Sequence, residues 1–266
     1  MLRYRLSLSL LVVAVTAGLQ AQEDPAKQRL EKSPRHHEWA EVPAANGRKV
    51  KSFIVFPETD KPVPAVIVIH ENRGLNDWAK SVADQLAEKG FVAIAPDLLS
   101  GTGPDGGGTE SFGANATQGI YALAPEQVTS DLDAVAKYVA DLDATNDKLA
   151  VAGFCWGGGQ AFRYATNNPK LDAGFVFYGT APSEEDLKKL EVPVHGFYGG
   201  SDFRITAQVP KVAETLKASD KKYDPVTYEG AGHGFMRSGE AADASPENKK
   251  AMEQGWERWV AILKKL

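Results

Sequence analysis

Val151-Ala152-Gly153-Phe154-Cys155-Trp156-Gly157-Gly158-Gly159 holds the one cysteine of a 266-residue chain. Residues 148–152 read as a β-strand, the glycines mark a turn too tight for ordinary side chains, and a helix begins near Trp156. Gly-x-Cys-x-Gly between a strand and a helix is a pattern that presents a nucleophile on a strained turn. Glycines flank it because backbone elements approach closely there. The helix N-terminus behind the sulfur favours a thiolate. A small, inert, buried cysteine would suit the same apolar surroundings, so the rest of the chain has to decide.

Working outward, residues 64–70 (Pro-Ala-Val-Ile-Val-Ile-His) form a continuous apolar run, as expected of a central parallel strand covered on both faces. A helix over 77–89, with Asp77 as its cap and Gly90 as its stop, leads to a second buried strand at 91–95. Val128, Leu132, Val135, Val139 and Leu142 stripe a helix over 125–142. Beyond the cysteine come strands at 173–178 and 192–198, with a short helix near 184–190 between them. A helix striped by Val209, Val212, Ala213 and Leu216 follows, then a last strand at 226–228 and a closing helix over 246–265 with Trp256, Val260 and Leu263 inward. Two earlier runs, 37–42 and 50–56, alternate as paired edge strands. This alternation predicts an α/β fold: one doubly wound, mainly parallel sheet with helices on both faces. Residues 98–123, rich in Gly, Thr, Ser and Asn, break the rhythm at the C-terminal end of a strand, where a parallel sheet carries its binding crevice. They are a candidate lid.

The chain opens with a basic Met1-Leu2-Arg3-Tyr4-Arg5, an apolar run over 6–19, and Gln20-Ala21-Gln22-Glu23-Asp24-Pro25. This reads as a signal peptide over 1–21, too short in its apolar part to span a bilayer, followed by a loose leader and edge strand over 22–44 and one domain over 45–266. The expected product is an exported monomer, periplasmic or extracellular, with no integral membrane span after cleavage. A net charge of −5 argues against nucleic acid as a partner. One cysteine cannot form an internal disulfide, so in an exported chain it is either inert or kept for chemistry.

A thiol at such a turn needs a base, and the base needs an orienting acid. Tyr198-Gly199-Gly200-Ser201-Asp202 follows a buried strand, and Tyr228-Glu229-Gly230-Ala231-Gly232-His233-Gly234-Phe235 places a histidine in a glycine-rich loop after the last strand. The order nucleophile, acid, histidine is that of α/β-hydrolases. Each piece has a bland alternative: Asp202 as a helix cap, His233 as a loop histidine.

With these residues the chain resembles the dienelactone hydrolase family. The landmarks are His70-Glu71-Asn72-x-Gly74, Ala95-Pro96-Asp97-Leu98, Gly153-Phe154-Cys155-Trp156-Gly157-Gly158, Phe197-Tyr198-Gly199-x-x-Asp202, and Tyr228-x-Gly230-Ala231-x-His233-Gly234-Phe235, spread over about 45–265. The resemblance implies an α/β-hydrolase fold and cleavage of a small ester or lactone through a Cys-His-Asp triad and an acyl-thioester, without metal or cofactor. It assigns Cys155 as nucleophile, His233 as base and Asp202 as orienter. It further implies that Glu71 contacts the resting cysteine and an arginine, which Arg237 matches. Tyr178 matches an active-site tyrosine, and the backbone N–H groups of Trp156 and Asn72 match the oxyanion hole.

Two departures stand out. Residues 98–123 contain no Arg or Lys, where the archetypal family members carry an arginine for the substrate carboxylate, and those members are cytoplasmic. Both departures point to a different ester or lactone, acylated sugars included. A thiol sensor or ligand-binding protein on the same fold is the competing class, one that has no need of a triad. His70 and His195 lie in strands and read as core histidines. His36 and His37 point to opposite faces and cannot share a metal.

Overall fold

A computed structural model of the chain describes residues 24–45 and 47–266; the expected signal peptide, 1–21, lies outside them. In chain order the elements are α1 (Pro25–Lys32), β1 (His37–Pro43), β2 (Lys49–Val55), β3 (Val63–Ile69), α2 (Asp77–Glu88), β4 (Val92–Pro96), α3 (Thr109–Phe112), α4 (Ala116–Tyr121) and α5 (Pro125–Ala140). They continue with β5 (Thr145–Phe154), α6 (Trp156–Asn167), β6 (Ala173–Phe177), α7 (Glu184–Leu187), β7 (Val194–Gly199), α8 (Phe203–Thr206), α9 (Val209–Ala218), β8 (Tyr223–Tyr228), α10 (Phe235–Ser238) and α11 (Pro246–Leu263).

The described residues form an eight-stranded sheet in the order β1-β2-β4-β3-β5-β6-β7-β8. β1 and β2 pair antiparallel, as does β2 with β4; every pairing from β4 through to β8 is parallel. This is the doubly wound, mainly parallel sheet that the strand–helix alternation predicts, in the α/β-hydrolase arrangement that the resemblance implies. The chain leaves β3 toward β4 on one side and returns to β5 on the other, so β3 flanks the switch point where an open α/β sheet binds ligands.

Alternate residues of the buried strands feed two cores. Ile67, Ile69, Ile94, Val151 and Val176 meet Val128, Leu132, Val135 and Val139 of α5 and Phe162 of α6. Val66, Val68, Ala152, Phe175 and Phe197 meet Val82 and Leu86 of α2 and the tryptophans of α11 on the opposite face. In α11 Trp259, wholly buried, fills the space expected of Val260, which only packs against the core from its margin.

Phe154, Phe177 and Phe197 stand in register at the C-terminal ends of β5, β6 and β7. Their rings stack at centroid distances of 4.6 and 4.2 Å, with Trp259 edge-on to Phe177 at 4.9 Å. Such pairs add about 0.5–1.5 kcal/mol each beyond area burial. This stack is the floor on which the loops after those strands rest.

Two local expectations are corrected. The cap of α2 is Asn76, whose side chain accepts from Ala79 N–H at 3.0 Å, while Asp77 sits in the first turn. Residues 25–32 are not a loose leader but helix α1, capped by Asp24 and packed on α2. Behind it, Arg35 forms a two-pronged bond to Asp84 at 2.9 and 2.6 Å, and His37 Nε2 reaches the same wholly buried carboxylate at 2.9 Å. His36 points away, toward Glu38. Among the described residues no helix is long and apolar enough to cross a membrane.

Candidate active site

The register fixes where the functional candidates lie. Ile69 pairs with Gly153, Phe154 with Phe177, and Gly199 with Tyr228, so the residues following β3, β5, β6, β7 and β8 all emerge at one edge of the sheet. Cys155 takes φ +56°, ψ −116°, a conformation that costs a non-glycine residue about 1–3 kcal/mol and persists only where its surroundings enforce it. Its N–H donates to Phe177 O at 3.0 Å, and its C=O accepts from Gly159 N–H at 3.2 Å. A Cβ on Gly153 would collide with the carbonyl of Gly157, and one on Gly157 with the carbonyls of Ile69 and His70. The flanking glycines are therefore required by contact. Cys155 occupies the cap position of α6, yet its sulfur makes no capping bond and is left for another partner.

That partner is His233, whose Nε2 lies 3.1 Å from Cys155 Sγ. The other ring nitrogen, Nδ1, is 2.5 Å from Asp202 Oδ2. Asp202 stands at the start of α8 without capping it through its side chain, and the residue is buried, so the bland reading as a helix cap fails. The His233 loop is held from behind by Gly232 N–H, which donates to Asn248 Oδ1 at 2.8 Å. The hydrogen bond to Cys155 pushes the His233 imidazolium up to about 9; burial opposes this, and Asp202 adds to it.

Glu71, 4 % exposed, accepts from Arg237 Nε at 2.9 Å and from the Tyr178 hydroxyl at 3.3 Å. Tyr178 has φ +41°, and its ring stands edge-on to His233 with centroids 5.1 Å apart. Burial, then the charge of Glu71, raises the Tyr178 hydroxyl well above its ordinary value, so it remains a donor. The expected contact of Glu71 with the resting cysteine is not made. Among the described residues Glu71 Oε2 accepts from Arg237, the pairing that the resemblance implies, Oε1 accepts from Tyr178, and the sulfur is engaged by His233 instead.

A cleft of about 280 Å³ opens over the sulfur, lined among others by Tyr121, Cys155, Trp156, Gln160, Arg163, Tyr178, Arg204 and His233. Trp156, as first residue of α6, has an N–H without an intrahelical acceptor, as an oxyanion donor must. Asn72 follows Glu71 at the end of β3 and does not line this cleft. The candidate lid 98–123 carries α3 and α4 and contributes Tyr121, which is 65 % exposed. Sequence reading found no cation in the lid and missed the two that other elements supply. Arg163 lies one helical face along from the nucleophile (Trp156, Gln160, Arg163), a spacing that could have revealed it. It is braced by Thr129 Oγ1 and Pro125 O, both at 2.8 Å. Arg204, two residues past Asp202, is exposed and has no ion pair among the described residues. His195 stacks on Phe175 within the sheet, whereas His70, wholly buried, stacks on Trp156 directly after the nucleophile.

Comparison with known proteins shows what the chain is similar to. The sequence pattern described as the dienelactone hydrolase family matches residues 50–266. A Saccharolobus solfataricus protein named "putative carboxymethylenebutenolidase" is 32% identical over 256 residues, covering 84% of this chain and 96% of its own length. An Escherichia coli protein of the same name is 32% identical over 222 residues, covering 78% of this chain and 79% of its own. A Klebsiella pneumoniae crystal structure, named in like manner for dienelactone hydrolase, superposes with a TM-score of 0.77 at 26% identity over 87% of this chain and 99% of its own.

Proposed function

This chain belongs to the dienelactone hydrolase family and is a lactone or ester hydrolase, and we propose that it works through Cys155, His233 and Asp202. The observation that carries the reading is one imidazole bridging a buried carboxylate at 2.5 Å and the sulfur at 3.1 Å. A sensor thiol has no use for that bridge.

The steps follow from the geometry. Cys155 Sγ attacks the acyl carbon as a thiolate, and the carbonyl oxygen takes up the negative charge against the Trp156 N–H, with the Asn72 N–H, which has no acceptor among the described residues, as the second donor the family resemblance implies. The tetrahedral adduct collapses, the C–O bond breaks, and His233 gives its Nε2 proton to the departing alkoxide, which leaves as an alcohol or as the opened end of a lactone. His233, now neutral and still oriented by Asp202, takes a proton from water, and the hydroxide attacks the thioester. Sulfur leaves as a thiolate beside the restored imidazolium, and the acid product loses its proton to solvent. The imidazolium, held up to about 9 chiefly by its bond to Cys155, carries its Nε2 proton at neutral pH and can give it to the leaving group. Glu71, Arg237 and Tyr178 set the field beside the sulfur.

The cleft suits a small substrate, and Arg163 and Arg204 make it hospitable to an acidic one although the lid carries no Arg or Lys. The basic start and apolar run of residues 6–19 support export. The test is a panel of small esters, lactones and acetylated sugars. The wild type is expected to hydrolyse at least one with saturation, and iodoacetamide to label Cys155 and abolish turnover at the same rate. Hydrolysis that persists after complete alkylation of Cys155 refutes the thiol mechanism.

A further inference from the structure

His70 is a wholly buried histidine that the mechanism above does not use. Its surroundings define its tautomer. Nδ1 lies 2.8 Å from the carbonyl oxygen of Glu71, which can only accept, so Nδ1 carries the proton. Nε2 lies 3.4 Å from the backbone N–H of Leu98, which can only donate, so Nε2 is bare. Burial lowers its proton affinity, which agrees with a neutral ring. The ring also stacks on Trp156, with centroids 5.7 Å apart and planes 14° from parallel.

We propose that His70 is the positioning residue of the oxyanion hole: by holding the Glu71 carbonyl it fixes the Glu71–Asn72 peptide plane and hence the direction of the Asn72 N–H. The two ends of a trans peptide point in opposite directions, so a pinned carbonyl aims the N–H behind it. A second bond, from Gly74 N–H at 3.2 Å, holds the same oxygen. The ring's contact with Trp156 brings the other donor residue under the same control. Its acceptor side reaches Leu98, the first residue of the candidate lid, so donor direction and lid root share one imidazole.

This inference rests on the thiol-hydrolase reading, and the experiment separates the two. Alkylation of Cys155 by iodoacetamide develops no oxyanion, whereas ester hydrolysis does. His70→Ala is expected to lower kcat on the order of 10²-fold, the usual effect of losing one oxyanion donor. KM and the rate and pH profile of Cys155 alkylation should be unchanged. His70→Asn keeps an amide N–H where Nδ1 stood and is expected to recover much of the loss. His70→Gln places its amide nearer the Nε2 position and should recover less. Wild-type turnover in His70→Ala, or alkylation falling in step with hydrolysis, overturns the proposal. If His70→Ala does not fold, equal kcat in the Asn and Gln variants overturns it. Wild-type hydrolysis that survives alkylation, or none on any substrate, removes the parent reading and this one together.

Discussion

Two of the histidine–aspartate pairs among the described residues do opposite things. At one end His233 meets Asp202 at 2.5 Å; at the other His37 meets Asp84 at 2.9 Å. Asp84 also receives Arg35 through two bonds and the Ser33 hydroxyl, so its charge is spent on holding the segment after α1 against α2. Asp202 receives no other side chain among the described residues, and the far nitrogen of its histidine faces sulfur across an open cleft. What distinguishes a site from a clamp is thus the second nitrogen and the competition for the carboxylate, not the pair itself.

The sharpest way to break this comparison is to delete both histidines. His233→Ala is expected to reduce turnover by a factor on the order of 10² or more through loss of general-base assistance. His37→Ala should leave kcat within about twofold, a margin far below the effect of losing an acid–base group. Equal losses in steady-state assays would erase the distinction.

Next in size is stability. Asp84→Asn is expected to destabilise the fold by about 2 kcal/mol, the scale of losing bonds to a charged group, with turnover retained; urea unfolding measures it. The two pairs also respond to pH in opposite directions. Burial pushes the Asp84 carboxyl up, but Arg35, Ser33 and His37 outweigh it and hold the group below its ordinary value of 3.8. Its stabilisation is complete above that value and lost as pH falls below it. His233 is raised from 6.5 to about 9, so its contribution is complete below 6.5 and lost as pH rises through about 9. Melting curves across pH should show Asp84→Asn flattening the acid limb and His233→Ala the alkaline one.

A third test concerns the field beside the sulfur. Glu71→Gln removes the charge that faces Arg237 and is expected to move the pH dependence of Cys155 alkylation, read by iodoacetamide labelling. An unchanged profile would show Glu71 to be scaffold. The smallest expected effect is at the rim. Arg204→Glu should raise KM for esters with an acidic group about three- to tenfold, the scale of an exposed charge contact, and leave neutral esters unaffected. Equal changes for both kinds would dismiss Arg204 as a selector.

What the sequence disclosed follows the same division. The elbow was legible because Gly153 and Gly157 are demanded by backbone contacts within a few residues, and a local demand leaves a local signature. Asp202 and His233 were legible because each follows a strand end, and parallel strands bring their ends to one edge. Helix α1 was hidden: it is polar on most sides, and its stability comes from α2 rather than from periodicity. Asn76 and Asp77 are both capable caps, and only the geometry chose the first. Arg204 was hidden because nothing in a linear chain reports that α8 faces the same cleft as α6, whereas Arg163 was overlooked although its helical spacing from the nucleophile is legible. Of the two contacts expected of Glu71, the one with Arg237 is present, while the place beside the sulfur is taken by His233.

β8 is the outer strand on its side of the sheet and is paired with β7 alone, whereas β5 is flanked by strands on both sides. The base therefore hangs from the margin of the sheet and the nucleophile from its middle. Fraying of that margin, a sub-global opening visible as early amide exchange in residues 223–228, would unhook the imidazole while the sulfur kept its seat. Heat inactivation should then precede the loss of bulk helix signal. During synthesis the base is also the last of the three groups to be placed, so regained turnover reports completion of folding rather than its onset.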